Sequence, residues 1–267
     1  MKQILVHAGF HKTGTTSVQK MLVHNRKTLR RKLQIFTRRN MVGPCEAARA
    51  YSIRRTEADL LAFCSELAAS FAKIDPTDPR AVLISSEDLS GHMPGRFGLT
   101  RYDAAPALMR ALCDTAQQAF DAPFSISFFF TTRAPEAWLR SCHAQHLRAI
   151  RMTDDLDSYA AHYAASADLD AIVQAVCSAV TPHRVLSAPL EDLTDDPLGP
   201  LGILFDTLNI PARLRQQLDI LPPANLSPPD ALLADYLATN RSDLDDATVA
   251  QTKIAARRAW LNADKTP

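Results

Sequence analysis

Two glycines, a lysine and three threonines crowd into one stretch near the N-terminus, Gly9-Phe10-His11-Lys12-Thr13-Gly14-Thr15-Thr16. Set between a strand and a helix, such a stretch turns successive backbone N–H groups and the positive helix end toward one point, which suits a phosphate. A tight basic turn without a ligand leaves this combination of residue types unexplained. Charge is distributed in the same sense. The first 45 residues hold ten Lys or Arg and no Asp or Glu, leaving 20 basic against 29 acidic residues in the other 222. That asymmetry suggests an anion-binding end. Within it, Arg26, Lys27, Arg30, Arg31 and Lys32 read mainly as a solvated helix face, with anion contact as the other reading. The eight histidines show no metal-site spacing, and the five cysteines contain no Cys-x-x-Cys pair, so no metal is expected and the thiols are read as reduced and mostly buried.

The elements that must position this loop can be read from periodicity. Gln3 to Ala8 is an apolar strand, and Val18, Met21, Leu22, Leu29 and Leu33 recur at helical spacing after the loop. Gln34 to Thr37 is a short second strand. Thr56 to Phe71 reads as a helix capped by Thr56. Ala81 to Ser85 is the next strand and runs into a loop, Ser90 to Gly98, that holds three of the chain's eight glycines, a sign of backbone that bends or closely approaches something. Asp103 to Phe120 is helical, Phe124 to Thr132 is a strand apolar enough to be buried on both faces, and Pro135 to Ile150 is a helix with proline in its first turn. His183 to Ser187 adds a strand, and Asp196 to Leu208, Pro228 to Thr239 and Leu244 to Leu261 add helices. Strands separated by helix-length segments imply parallel βαβ units, hence an α/β, three-layer, P-loop-NTPase-like fold with a central, mostly parallel sheet flanked by helices.

Composition narrows the class. A chain of 267 residues with net charge +1, 46% hydrophobic and 22% charged residues has the balance of a globular protein, which argues against disorder and against a nucleic-acid partner. Its longest apolar run is strand-sized, so no membrane span is expected. His7, His11 and Lys12 interrupt the N-terminal apolar run before a signal-peptide core forms, which points to the cytoplasm. We expect a single domain over 1–267, with 221–267 as a helical C-terminal appendage after the proline-rich Leu221 to Pro229.

The loop from Lys12 to Thr16, continued by Ser17 and Gln19, resembles the 5′-phosphosulfate loop of sulfotransferases that use 3′-phosphoadenosine-5′-phosphosulfate (PAPS), which reads Lys-[Ser/Thr]-Gly-Thr-[Thr/Ser] after the first strand. The run Thr132-Arg133-Ala134-Pro135-Glu136-Ala137-Trp138-Leu139-Arg140-Ser141 is similar to that family's second motif, an Arg ending a strand and a Ser eight residues on. The resemblance implies that Lys12, Thr13, Gly14, Thr15 and Thr16 hold the 5′-phosphosulfate and that Arg133 and Ser141 bind the 3′-phosphate. On a helix, Ser141, Gln145 and Arg148 fall within about 60° of one another, with Trp138, Leu139, Cys142, His146 and Ile150 on the apolar side. Leu190-Glu191-Asp192-Leu193 is a weaker match to a late strand-to-helix junction, and reads equally well as an ordinary acidic helix start. Asn225 and Ser227 stand where a late loop covers the nucleotide in relatives, although the basic residues of that loop are missing.

The implied activity is transfer of a sulfuryl group from PAPS to a hydroxyl or amine acceptor, a carbohydrate by family analogy, without a metal. Lys12 then stabilises the leaving oxygen. Glu87, following the strand Ala81 to Ser85, is the first choice for the base, with His92 and His11 as alternatives and a loop-capping role as the structural one. His7 reads as a packed strand residue and Trp138 as core. Two other functions remain open: a P-loop small-molecule kinase, disfavoured because Thr15 stands where the Walker A loop has lysine, and a degenerate nucleotide-binding scaffold.

Overall fold

The structure, a computed structural model, describes residues 1–222 and 227–263. Five strands form its sheet: β1 (Lys2–His7), β2 (Leu33–Thr37), β3 (Ala81–Ser85), β4 (Phe124–Thr132) and β5 (Arg184–Pro189). Their order is β2-β3-β1-β4-β5 and every pairing is parallel, with Val6 opposite both Ile84 and Phe128. Ile4, Leu5 and Val6 of β1 have no exposed surface, which follows from their central position: a parallel strand covered on both faces has no polar side to offer. This is the α/β, three-layer, P-loop-like arrangement expected, with helices flanking an all-parallel sheet.

The order of strands creates the crevice. From β1 the chain moves toward β2 on one side, and from β4 it moves toward β5 on the other, so the segments leaving β1 and β4 part at the carboxyl end of the sheet. The glycine loop leaves β1 there and enters α1 (Thr15–His24). On the opposite side of β1, the segment after β3 begins with a 3₁₀ turn at Glu87–Ser90, and Arg38 follows β2.

Val18, Met21 and Leu22 of α1 pack with Leu5, Leu33, Leu83, Phe129, Leu201, Leu204 and Phe205, fixing the helix that carries the loop onto the sheet. The apolar spacing that suggested one helix through Leu33 is interrupted at Asn25. Its side-chain amide donates to the carbonyls of Met21 (3.1 Å) and Asp219 (3.0 Å), replacing helix bonds with local ones. A short helix, α2 (Arg26–Leu29), follows, and Leu33 already belongs to β2. Next come α3 (Val42–Arg54) and α4 (Glu57–Phe71), the latter capped by Thr56, whose hydroxyl accepts from the Asp59 amide at 3.2 Å. After β3 lies α5 (Ala105–Ala119), and after β4 come α6 (Pro135–Ala149) and α7 (Leu156–His162). α8 (Leu169–Val180) precedes β5, and α9 (Pro200–Thr207) starts later than expected because Asp196 caps the Leu198 amide in a turn of its own. The last helices are α10 (Ala212–Arg215), α11 (Asp230–Arg241) and α12 (Asp246–Ala263).

The chain divides into two compact units. The first, Met1–Ala134 with Asp168–Ala224, contains the whole sheet; the second, Pro135–Ala167 with Asn225–Pro267, contains α6, α7, α11 and α12. The helical tail expected from residue 221 onward thus groups with α6 and α7. Inside this second unit Leu147, Leu232 and Tyr236 form a small core, and buried Lys253 donates to the carbonyls of Leu147 and Ile150 and to Asn240 Oδ1. An ammonium there meets the carbonyls that the end of α6 leaves without amide partners. Among the described residues no helix is long and apolar enough to cross a membrane.

Candidate functional site

The glycine loop has the backbone of an anion cradle. Gly9 (φ 53), Lys12 (φ 70) and Gly14 (φ 91) all lie in the left-handed region, so the direction of the peptide groups reverses repeatedly between β1 and α1. Among the described residues nothing accepts from the backbone amides of Gly14, Thr15 and Thr16. No side chain caps α1, and its first turn contains no acidic residue, which leaves its positive end for an external anion. Left-handed φ is costly for a residue with a Cβ, and Lys12 is the loop's non-glycine instance.

Each predicted loop residue has a distinct place. Thr13 is fully buried and its hydroxyl donates to the Phe10 carbonyl at 2.8 Å, so it braces the turn and is spent as a side-chain ligand donor. Gly14 lies under Leu190: a Cβ there would stand 3.0 Å from Leu190 Cδ1. Thr15 is nearly buried, Thr16 is partly exposed, and neither hydroxyl bonds to a described group. Ser90, in the segment after β3, donates to the Gly9 carbonyl at 2.7 Å and ties that segment to the loop.

Arg133 comes to this loop across the switch between β1 and β4. Its Nη1 donates to the Lys12 carbonyl at 3.0 Å, and its Nε lies 3.8 Å from Glu191 Oε1, which also accepts from the Ala134 amide. Arg133 therefore holds the conformation of Lys12 as well as presenting a guanidinium beside it. Ser141 lies on α6, in the second unit, and is partly buried. On that helix Arg148 Nη2 donates to Gln145 Oε1 at 2.7 Å, and Trp138 is 1% exposed, a core residue as expected. Asn225 lies outside the described residues.

On the other side of β1, Glu87 is partly exposed and accepts from Gln19 Nε2 at 2.6 Å through Oε2. Its Oε1 accepts from no described residue. Gln19 belongs to α1, so the helix that carries the phosphate loop also orients this carboxylate. The two histidine alternatives are less available. His11 is held at both ring nitrogens, by the Tyr102 hydroxyl at 3.0 Å and by Asp88 at 3.4 Å. His92 Nε2 accepts from Arg49 Nη2 at 3.1 Å, and burial pushes its pKa down to about 4.

Asp88 and Tyr102 were not singled out by sequence reasoning, and Gln19 and Glu191 entered it only within motif matches, without the contacts they make here; all four support the predicted site residues. Asp88 is buried, which pushes its pKa up, yet contact with His11 and the charges of Arg38 and Arg49 outweigh this and keep its carboxyl below the usual range. His7 ends β1 beneath the loop, fully buried, its Nδ1 3.0 Å from Ser85 Oγ and its pKa driven down to about 4 by burial. Cys45 is buried against Ser86 Oγ, and burial pushes its thiol up to about 12, far from a reactive thiolate. No group of three His, Cys, Asp or Glu side chains that could hold a metal occurs among the described residues.

No protein-family model matches the chain, and no curated protein matches it.

Proposed function

We propose that this chain is a sulfotransferase that moves a sulfuryl group from PAPS to a hydroxyl or amine acceptor. The observation that carries the reading is the loop itself: a helix start without a side-chain cap and amides of Gly14, Thr15 and Thr16 without acceptors among the described residues, beside a lysine in left-handed backbone braced by Arg133. These features suit a phosphate ester whose bridging oxygen takes on charge during transfer.

In the reaction, the acceptor oxygen or nitrogen bonds to sulfur as the bond from sulfur to the bridging oxygen breaks, and that oxygen leaves on 3′,5′-adenosine bisphosphate. Lys12 supplies positive charge to the leaving oxygen. The amides of Gly14 to Thr16 and the Thr15 and Thr16 hydroxyls hold the 5′-phosphate, while Thr13 shapes the turn. Glu87 Oε1 takes the acceptor proton, with Gln19 fixing the carboxylate by its other oxygen. Arg133 offers a planar donor fork to the 3′-phosphate.

A thermal-shift panel tests the reading. Stabilisation by 3′,5′-adenosine bisphosphate without Mg²⁺ is the expected result. Stabilisation by ATP only with Mg²⁺ would replace the reading with that of a kinase.

A further inference from the structure

Three cationic or donor side chains converge on one carboxylate at the carboxyl ends of β2, β3 and β1. Arg38 Nε lies 2.5 Å from Asp88 Oδ2, His11 Nε2 lies 3.4 Å from Oδ1, and Arg49 Nε lies 4.0 Å from Oδ1. The Asp88 side chain is 8% exposed, whereas those of Arg38 and Arg49 are 50% and 33% exposed. One buried carboxylate thus anchors two guanidinium groups whose outer faces remain in solvent, beside the histidine that precedes Lys12. Guanidinium forks suit planar oxyanions, and a single internal carboxylate does not use two of them fully.

The surroundings point the same way. Arg49 bonds His92, and the charges of Arg49, His11 and Arg96 all disfavour its protonation, which marks the surroundings as cationic. Of the acidic groups nearby, Glu46 on α3 acts on Arg38, and Glu87 is engaged by Gln19. Phe97 borders the cluster, its ring edge-on to His92 at 4.8 Å. It is 67% exposed and held at φ 54, so the loop presents a large apolar ring to solvent in a conformation that such residues avoid.

We propose that this surface recognises the acceptor, and that the acceptor is a hydroxyl compound bearing an oxyanion, carboxylate or sulfate, taken by Arg38 and Arg49, with a ring face against Phe97. The direction of transfer rests on the sulfotransferase reading; the anion preference does not.

The test uses the full chain saturated with 3′,5′-adenosine bisphosphate. Calorimetry compares 4-nitrophenyl β-D-glucuronide and the 6-sulfate of 4-nitrophenyl β-D-glucoside with the unmodified glucoside. At least one anionic probe should bind roughly tenfold or more tightly than the neutral one, as charge-assisted hydrogen bonds imply. Whether the carboxylate or the sulfate leads identifies the source of the anion. Arg49→Ala and Arg38→Ala should reduce the preference to about threefold or less, while Arg49→Lys, which keeps the charge and loses the fork, retains part of it. The affinity for adenosine bisphosphate should be the same in all four proteins. Because Arg38→Ala exposes Asp88 and can weaken the fold, Arg49→Ala is the deciding variant. Equal binding of neutral and anionic probes, no binding of either anionic probe, or a preference that survives Arg49→Ala would overturn the proposal. An anion preference in a chain that does not bind adenosine bisphosphate would instead overturn the donor reading.

Discussion

At Lys12 the backbone adopts a left-handed conformation that costs an L-residue about 1–2 kcal/mol, and the cost is sustained by the Arg133 bond to its carbonyl. Lys12→Ala removes the ammonium at the position where the proposed transfer develops charge. By comparison with loss of an oxyanion donor it should lower turnover by roughly 10²–10³-fold, measured with any acceptor the wild type modifies, with little change in thermal midpoint. Glu87→Gln should depress turnover while leaving adenosine bisphosphate affinity unchanged, and Gln19→Leu should act in the same direction more weakly. Unchanged turnover in Glu87→Gln across the pH range would move the base to His92 or His11.

His7 links pH to stability. Its folded pKa of about 4 lies below the 6.5 of a free histidine, so the unfolded chain takes up this proton first as pH falls. Stability is therefore full above pH 6.5 and declines between about 6.5 and 4, by on the order of 3 kcal/mol for this residue. Urea midpoints measured from pH 7.5 to 4 should fall for the wild type and fall less for His7→Gln. Equal slopes would show that another group controls the acid limb. Lys12 was legible because its signal is local. Gln19, Asp88 and Glu191 act on Glu87, Arg38 and Arg133 across 50 to 68 residues of sequence, and no spacing rule reports such contacts.

Elements with large apolar residues at regular intervals were the readable ones: β3, β4 and the Thr56-capped helix appear where the pattern places them. α3 was not readable, because its buried side is Pro44, Cys45, Ala48 and Ser52, small or polar side chains without an apolar stripe. α8 was missed although the signal was present: Leu169, Ile172, Val173, Val176 and Val180 form one buried face, and Asp168 caps the helix through the Ala171 amide. The loop between β1 and α1 yields a prediction of its own. A Cβ on Gly9 would lie 2.6 Å from Thr15 Cγ2, at a φ of 53. Gly9→Ala should lose about 1 kcal/mol or more to the strained φ and roughly 1–3 kcal/mol to overpacking. Both the thermal midpoint and nucleotide affinity should drop, and a variant with neither loss would mean that the loop has slack the geometry does not show.

On the scale of the whole molecule, the basic N-terminal stretch divides its labour. Lys2 is buried and donates to the carbonyls of Asp75 and Asp78, Arg26 donates to the Ile35 carbonyl, and Arg30, Arg31 and Lys32 are exposed. Lys12 and Arg38 reach the carboxyl end of the sheet. Strand order explains why: β1 lies between β3 and β4, so one loop faces Arg133 on one side and Glu87 with Asp88 on the other. In the proposed function, the donor and the acceptor therefore meet at Lys12. The measurement that tests this most directly is calorimetric titration of wild type and Arg133→Ala with 3′,5′-adenosine bisphosphate and with 5′-AMP, in the absence of Mg²⁺. The wild type should prefer the bisphosphate, and Arg133→Ala should lose roughly ten- to 150-fold of that affinity, while 5′-AMP, which has no 3′-phosphate, should lose clearly less, through the loosened loop alone. Equal losses for the two nucleotides would show that Arg133 only braces the loop, and a wild type that binds neither would contradict the account.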